Sequence, residues 1–151
     1  MSLFFPYKVI AFPYAVVPLG GRWSRPRPYL TVSVMGPNNT VAADGHLDTG
    51  ADDTIFSERL AARIGLDLSN APIVQATTAT LTNAPLRYAQ VRLRITDGRE
   101  RREWPAWVGF TPAKLHLPLL GFAGFLQFFT ATFHGDREQV ELTVNALYPG
   151  T

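Results

Sequence analysis

Leu47-Asp48-Thr49-Gly50-Ala51-Asp52-Asp53-Thr54-Ile55-Phe56 is the stretch whose reading decides the fold. An apolar residue leads in, an apolar pair leads out, and between them lies a short polar turn with three carboxylates. A strand that ends at Leu47 and turns sharply would push the Asp48 side chain into the open. Gly50 allows that turn and leaves its amide free to donate to a carboxylate, while the Thr49 hydroxyl can both donate and accept. A bare Asp-Thr-Gly is a weak signal in a chain of this size. The apolar flanks and the Ala51-Asp52-Asp53-Thr54 extension make it a strong one.

Residues 47–54, Leu-Asp-Thr-Gly-Ala-Asp-Asp-Thr, resemble the active-site loop of the retropepsins, the retroviral-type aspartic proteases, which also have cellular and bacterial relatives. The resemblance implies an all-β fold, a single-lobe closed barrel with one or two short helices and a flap hairpin. It makes Asp48 the catalytic aspartate, held in place by Thr49 and Gly50. Ala51, Asp52 and Asp53 would contact a bound peptide and its neighbouring side-chain pocket. No metal and no other cofactor is implied. A pepsin-like protease carries two such loops on one chain, whereas this chain has one Asp-Thr-Gly and no Asp-Ser-Gly. The expected active form is therefore a homodimer acting on a peptide or protein substrate.

Outward from that loop the pattern is strand-rich. Tyr29 to Met35 alternates, with Leu30, Val32 and Val34 on one face, and Gly36-Pro37-Asn38-Asn39 turns the chain into a strand that runs from Thr40 to Leu47. Ser57 is placed to cap a short helix, Glu58 to Ile64, that Gly65 ends. Pro72 to Ile95 reads as a β-hairpin with a polar middle from Thr77 to Asn83 and a returning arm in which Val91, Leu93 and Ile95 alternate. By the resemblance this hairpin is the flap. Asp97-Gly98 turns the chain into a strand containing Trp104 and Trp107. Pro118-Leu119-Leu120-Gly121 resembles the family's apolar-apolar-glycine element beneath the catalytic loop, where Gly121 permits close backbone packing. A short apolar helix is predicted over Phe122 to Phe129, then strands over Thr130 to Phe133 and Glu138 to Val144.

Residues 1–28 hold five prolines and several aromatic side chains, too apolar for a disordered tail, and are expected to lie extended against the body or a partner subunit; the protease domain is expected over 29–151. Two features depart from the retroviral pattern. Phe122 follows the second glycine where arginine is common, and the presumed flap tip, Ala79-Thr80-Leu81-Thr82-Asn83, lacks the viral glycines.

The 151 residues, 46% apolar and 17% charged, suffice for one domain with a real core. The net charge of +2 comes from twelve arginines against two lysines, densest at Arg92, Arg94, Arg99, Arg101 and Arg102. Glu100 and Glu103 interrupt that group, so it reads as a solvated hairpin and no nucleic-acid partner is assigned. The absence of cysteine excludes disulfides. Pro13 and Pro18 break the apolar stretch near the N-terminus and no run is long enough to span a membrane, so no membrane partner is assigned and a cytoplasmic location is expected. His46, two residues before Asp48 on the same side of the strand, is either a neighbour of the site or a plain surface histidine. Two other readings remain open: a catalytically weak or inactive dimeric peptide-binding module of the same fold, and a basic β-barrel that binds nucleic acid.

Overall fold

In the computed structural model, residues 1–9, 20–21, 24–76 and 84–151 are described, and the presumed flap tip lies outside them. Ten strands and one short α-helix follow in the order β1 (Leu3–Pro6), β2 (Tyr29–Met35), β3 (Thr40–Leu47), β4 (Ile55–Ser57), α1 (Glu58–Arg63), β5 (Ile73–Ala76), β6 (Ala84–Thr96), β7 (Arg101–Thr111), β8 (Leu119–Leu120), β9 (Phe129–His134) and β10 (Gln139–Val144).

Seven strands share one sheet in the order β2-β3-β8-β4-β7-β6-β5. Because β2 also pairs with β6, through Ser33 to Met35 against Arg94 to Arg92, the hydrogen-bonded circuit closes on itself and leaves β5 outside it. Closure removes the open edges that a sheet of this size would otherwise present. The core fills the inside of that circuit. Leu30, Val32 and Val34 point into it from β2, and Val91, Leu93 and Ile95 from β6, all but fully buried as their alternation requires. Trp104 from β7 sits at one end, with its ring edge-on to Phe125, Phe129 and Tyr148 at centroid separations of 5.3–5.9 Å and its indole N–H donating to the Gly124 carbonyl at 2.9 Å. Its neighbour Trp107 faces out and is 59% exposed.

The N-terminal strand β1 is part of the body. It pairs with β10 in a three-stranded sheet ordered β1-β10-β9, burying Leu3 and Phe5, and its Phe4 amide donates to Asp97 at the β6–β7 turn. The helix α1 starts where the sequence places it: the Ser57 hydroxyl accepts from the Leu60 amide at 3.3 Å, and Leu60 and Ile64 pack inward. The arginine-rich hairpin is ion-paired at its glutamates, Arg92 with Glu103 at 3.0 Å and Arg102 with Glu100 at 3.2 Å. Among the described residues no helix is long and apolar enough to cross a membrane.

One expected element is corrected. The helix predicted over Phe122 to Phe129 shrinks to a single 3₁₀ turn, Leu126–Phe128. The Phe122 and Ala123 amides are taken by the Ala51 and Asp52 carbonyls at 2.9 Å each, Gly124 sits at φ 88, and the Gln127 side-chain oxygen captures the Gly124 amide at 2.7 Å. A segment whose third residue, Gly124, is left-handed cannot propagate an α-helix through it.

Candidate active site

The Asp48 loop is aimed by three strands. At the end of β3, Leu47 is in parallel register with Leu120 of β8, and Ile55 of β4 is antiparallel to Leu119, so the two-residue strand β8 lies between the arms of the loop. Such close approach requires a missing side chain on the β3 side. A Cβ at Gly45 would stand 2.7 Å from Leu120 Cγ. The Asp48 amide donates to the Leu120 carbonyl at 3.1 Å, and the Ala51 amide returns to the Asp48 carbonyl at 3.2 Å, closing the turn. Within it the Gly50 amide donates to Asp48 Oδ1 at 2.9 Å. This is the contact expected from the sequence, and a charge-assisted one that fixes the rotation of the carboxylate.

The second half of the loop is pinned from below. Phe122 and Ala123 donate to Ala51 and Asp52, Thr54 donates to the Ala123 carbonyl at 3.1 Å, and Gly109 of β7 donates to the Thr54 carbonyl at 2.8 Å. Gly121 lies against this backbone. A Cβ there would press on the Asp53 carbonyl oxygen and come within 2.7 Å of the Ala51 carbonyl oxygen, so no other residue fits without moving the loop. The packing inferred for Gly121 from sequence is thus present at the place inferred.

The structure places the remaining site residues differently from one another. Thr49 and Asp52 are exposed, Asp48 and Asp53 are half-buried, and the Ala51 side chain is 1% exposed, packed with Ile55, Leu86 and Leu119 in a small apolar cluster under the loop. Among the described residues, no hydrogen bond joins the Thr49 hydroxyl to Asp48. Phe122, standing where an arginine is common, is 60% exposed.

Two neighbours complete the site. His46 lies opposite Tyr29 in the β2–β3 register and its ring is edge-on to the tyrosine at 5.0 Å. That half-burial lowers the imidazole pKa below its ordinary value; Asp48 pulls it back up and Arg27 adds to the depression. His46 is therefore an electrostatic neighbour of Asp48 rather than a plain surface residue. Tyr88 of β6 donates from its hydroxyl to Asp53 Oδ2 at 3.1 Å. Sequence reasoning missed this residue, because its place beside Asp53 is set by the register of β6 against β7, where it lies opposite Gly109.

A family model and one solved structure agree with this geometry. The family model described as aspartyl protease matches residues 30–122, which include the whole Asp48 loop and β8. Among solved structures, the chain is similar to a retropepsin-like aspartic protease from Rickettsia conorii, with a TM-score of 0.50 and 20% identity over 91% of this chain and 95% of that one. A protease of EIAV, solved with an inhibitor, is matched at a TM-score of 0.38 and 17% identity over 63% of this chain and 81% of that one. A search of curated proteins finds no match. With a family model matching residues 30–122, well over half of its length, the chain belongs to the aspartyl protease family, and its fold is retropepsin-like.

Proposed function

We propose that the protein is an aspartic endopeptidase that acts as a homodimer, with water activated between two Asp48 carboxylates, one from each subunit. The observation that carries this reading is the Asp48 loop itself. Its backbone is fixed to β8 and to the segment after it, and its carboxylate is oriented by the Gly50 amide at 2.9 Å, yet one chain supplies only one such carboxylate.

Two carboxylates brought within hydrogen-bonding distance across a twofold axis cannot both ionise cheaply, so the pair holds one proton, the general behaviour of aspartic protease dyads. The ionised member takes a proton from water as the oxygen attacks the peptide carbonyl carbon; the protonated member donates to the carbonyl oxygen. The product of that addition is a tetrahedral diol. Collapse of the diol breaks the C–N bond, a proton passes to the leaving nitrogen, and the pair returns to its shared-proton state. Thr49 and Gly50 hold Asp48 in this reading. In the same reading Asp52 and Asp53, and Ala51 through its backbone alone, contact an extended peptide held as an added strand between the β5–β6 hairpin and the loop.

Digestion of a peptide library over a range of pH tests the proposal. The wild-type protein should cleave with a bell-shaped profile, and Asp48→Asn should lose on the order of a thousandfold or more in kcat/KM while keeping its fold. An Asp48→Asn protein that cleaves as well as the wild type would remove Asp48 from the chemistry. A folded wild-type dimer that binds peptides without cleaving them at any pH would replace the peptidase by a peptide-binding module.

A further inference from the structure

Tyr88 joins the base of the β5–β6 hairpin to the loop that carries Asp48. The hairpin pairs β5 with β6 from Ala76 opposite Ala84 down to Ile73 opposite Arg87, and Tyr88 is the next residue, its amide donating to the Pro72 carbonyl at 3.0 Å. On the other side it is in register with Gly109, and its ring packs on the cluster of Ala51, Ile55, Leu86 and Leu119 beneath the Asp48 loop. From there its hydroxyl reaches Asp53 Oδ2 at 3.1 Å. Asp53 is held from the opposite side as well, since its backbone bridges Ala123.

We propose that Tyr88 is a positioning residue: its hydroxyl ties the base of the β5–β6 hairpin to the Asp53 carboxylate, so that hairpin and loop present themselves to the peptide in a fixed relation. The inference rests on the peptidase reading above. The hydrogen bond occupies one carboxylate oxygen and thereby sets the direction of the other toward an N–H of the substrate. The donor is permanent. Burial, and next the charge of Asp53, push the Tyr88 phenol up to about 12, so it keeps its proton at any pH at which a carboxylate pair works. A positioning role of this kind acts on peptide binding more than on the chemical step.

The experiment is steady-state kinetics of Tyr88→Phe, which keeps the ring and its packing, in the wild-type and Asp53→Ala backgrounds, with melting temperatures for all four proteins. On the wild-type background KM should rise about fivefold to tenfold with kcat within about twofold, the scale of a partly exposed hydrogen bond to a charged acceptor. On the Asp53→Ala background, which has no acceptor for the hydroxyl, the same change should alter KM by less than about twofold, because the bond it removes is already gone. Unchanged kinetics in Tyr88→Phe, or an equal loss in both backgrounds, overturns the role. If the wild-type protein shows no Asp48-dependent cleavage, the peptidase reading fails and takes this inference with it. If the wild type cleaves and Tyr88→Phe matches it, only the inference about Tyr88 fails.

Discussion

The Asp48 loop and the β5–β6 hairpin are built on opposite principles. Between Asp48 and Thr54 the Asp48 and Thr54 amides and the Ala51, Asp52 and Thr54 carbonyls are hydrogen-bonded to β8, to the segment after it or to β7, and Gly121 and Gly45 allow an approach that a side chain there would block. The β5 arm hangs outside the closed circuit of strands, paired on one side to β6, with Ile73 and Val74 57% and 51% exposed. In the proposed peptidase Asp48 needs the first kind of construction, because misplacement of a reacting group by an ångström is costly. In the same proposal an arm that admits and releases a peptide suits the second, since local stability is lower where fewer contacts are buried.

The contrast can be broken most severely at Gly121. Gly121→Ala sets a methyl against two backbone carbonyls that cannot turn aside, and it should destabilise the protein by about 3 kcal/mol, seen as a fall in Tm of roughly 10 °C. A change of less than about 2 °C would mean that the loop yields, and the rigid-loop description would be wrong. At the other extreme, Val74→Ser on the hairpin should move stability by no more than about 0.5 kcal/mol. A large loss there would show that β5 is packed as firmly as the loop.

Between these lies a pH effect at the strand leading into the loop. The folded state holds the His46 pKa below 6.5, so as pH falls through 6.5 the unfolded chain takes up a proton that the folded chain does not, and stability declines until the folded pKa is reached. Asp44 acts lower in the scale. The hydrogen bond from Thr31 holds its pKa below 3.8, with burial opposing and Lys8 assisting, so its stabilising share is intact above 3.8 and is lost as pH falls through the folded value. Thermal melts between pH 8 and pH 5 should therefore decline less steeply in His46→Gln than in the wild type. Identical slopes would place no linked proton at His46.

What was legible in the sequence was local. The strand over Tyr29 to Met35 announces itself by alternation, the helix cap by Ser57, and the close packing at Gly121 by the resemblance of residues 118–121 to the family's apolar-apolar-glycine element. What was not legible depends on partners far along the chain. The Tyr88–Asp53 bond spans 35 positions and is set by the register of β6 against β7. His46 meets Tyr29 only because β2 and β3 pair where they do. The run Phe122 to Phe129 has the apolar content of a helix, but Gly124 takes a left-handed conformation where the segment packs against the Asp48 loop. In each case a tertiary hydrogen bond or ring contact outweighed the local preference.

One site per pair of chains is the claim on which the account turns, and subunit mixing tests it directly. Wild-type protein at fixed concentration is dissociated and reassociated with a tenfold excess of Asp48→Asn protein, and peptide cleavage is measured. If each site needs an Asp48 from both subunits, random pairing should leave roughly a tenth of the original activity. Full retention of wild-type activity under that excess would show that a single chain carries a complete site.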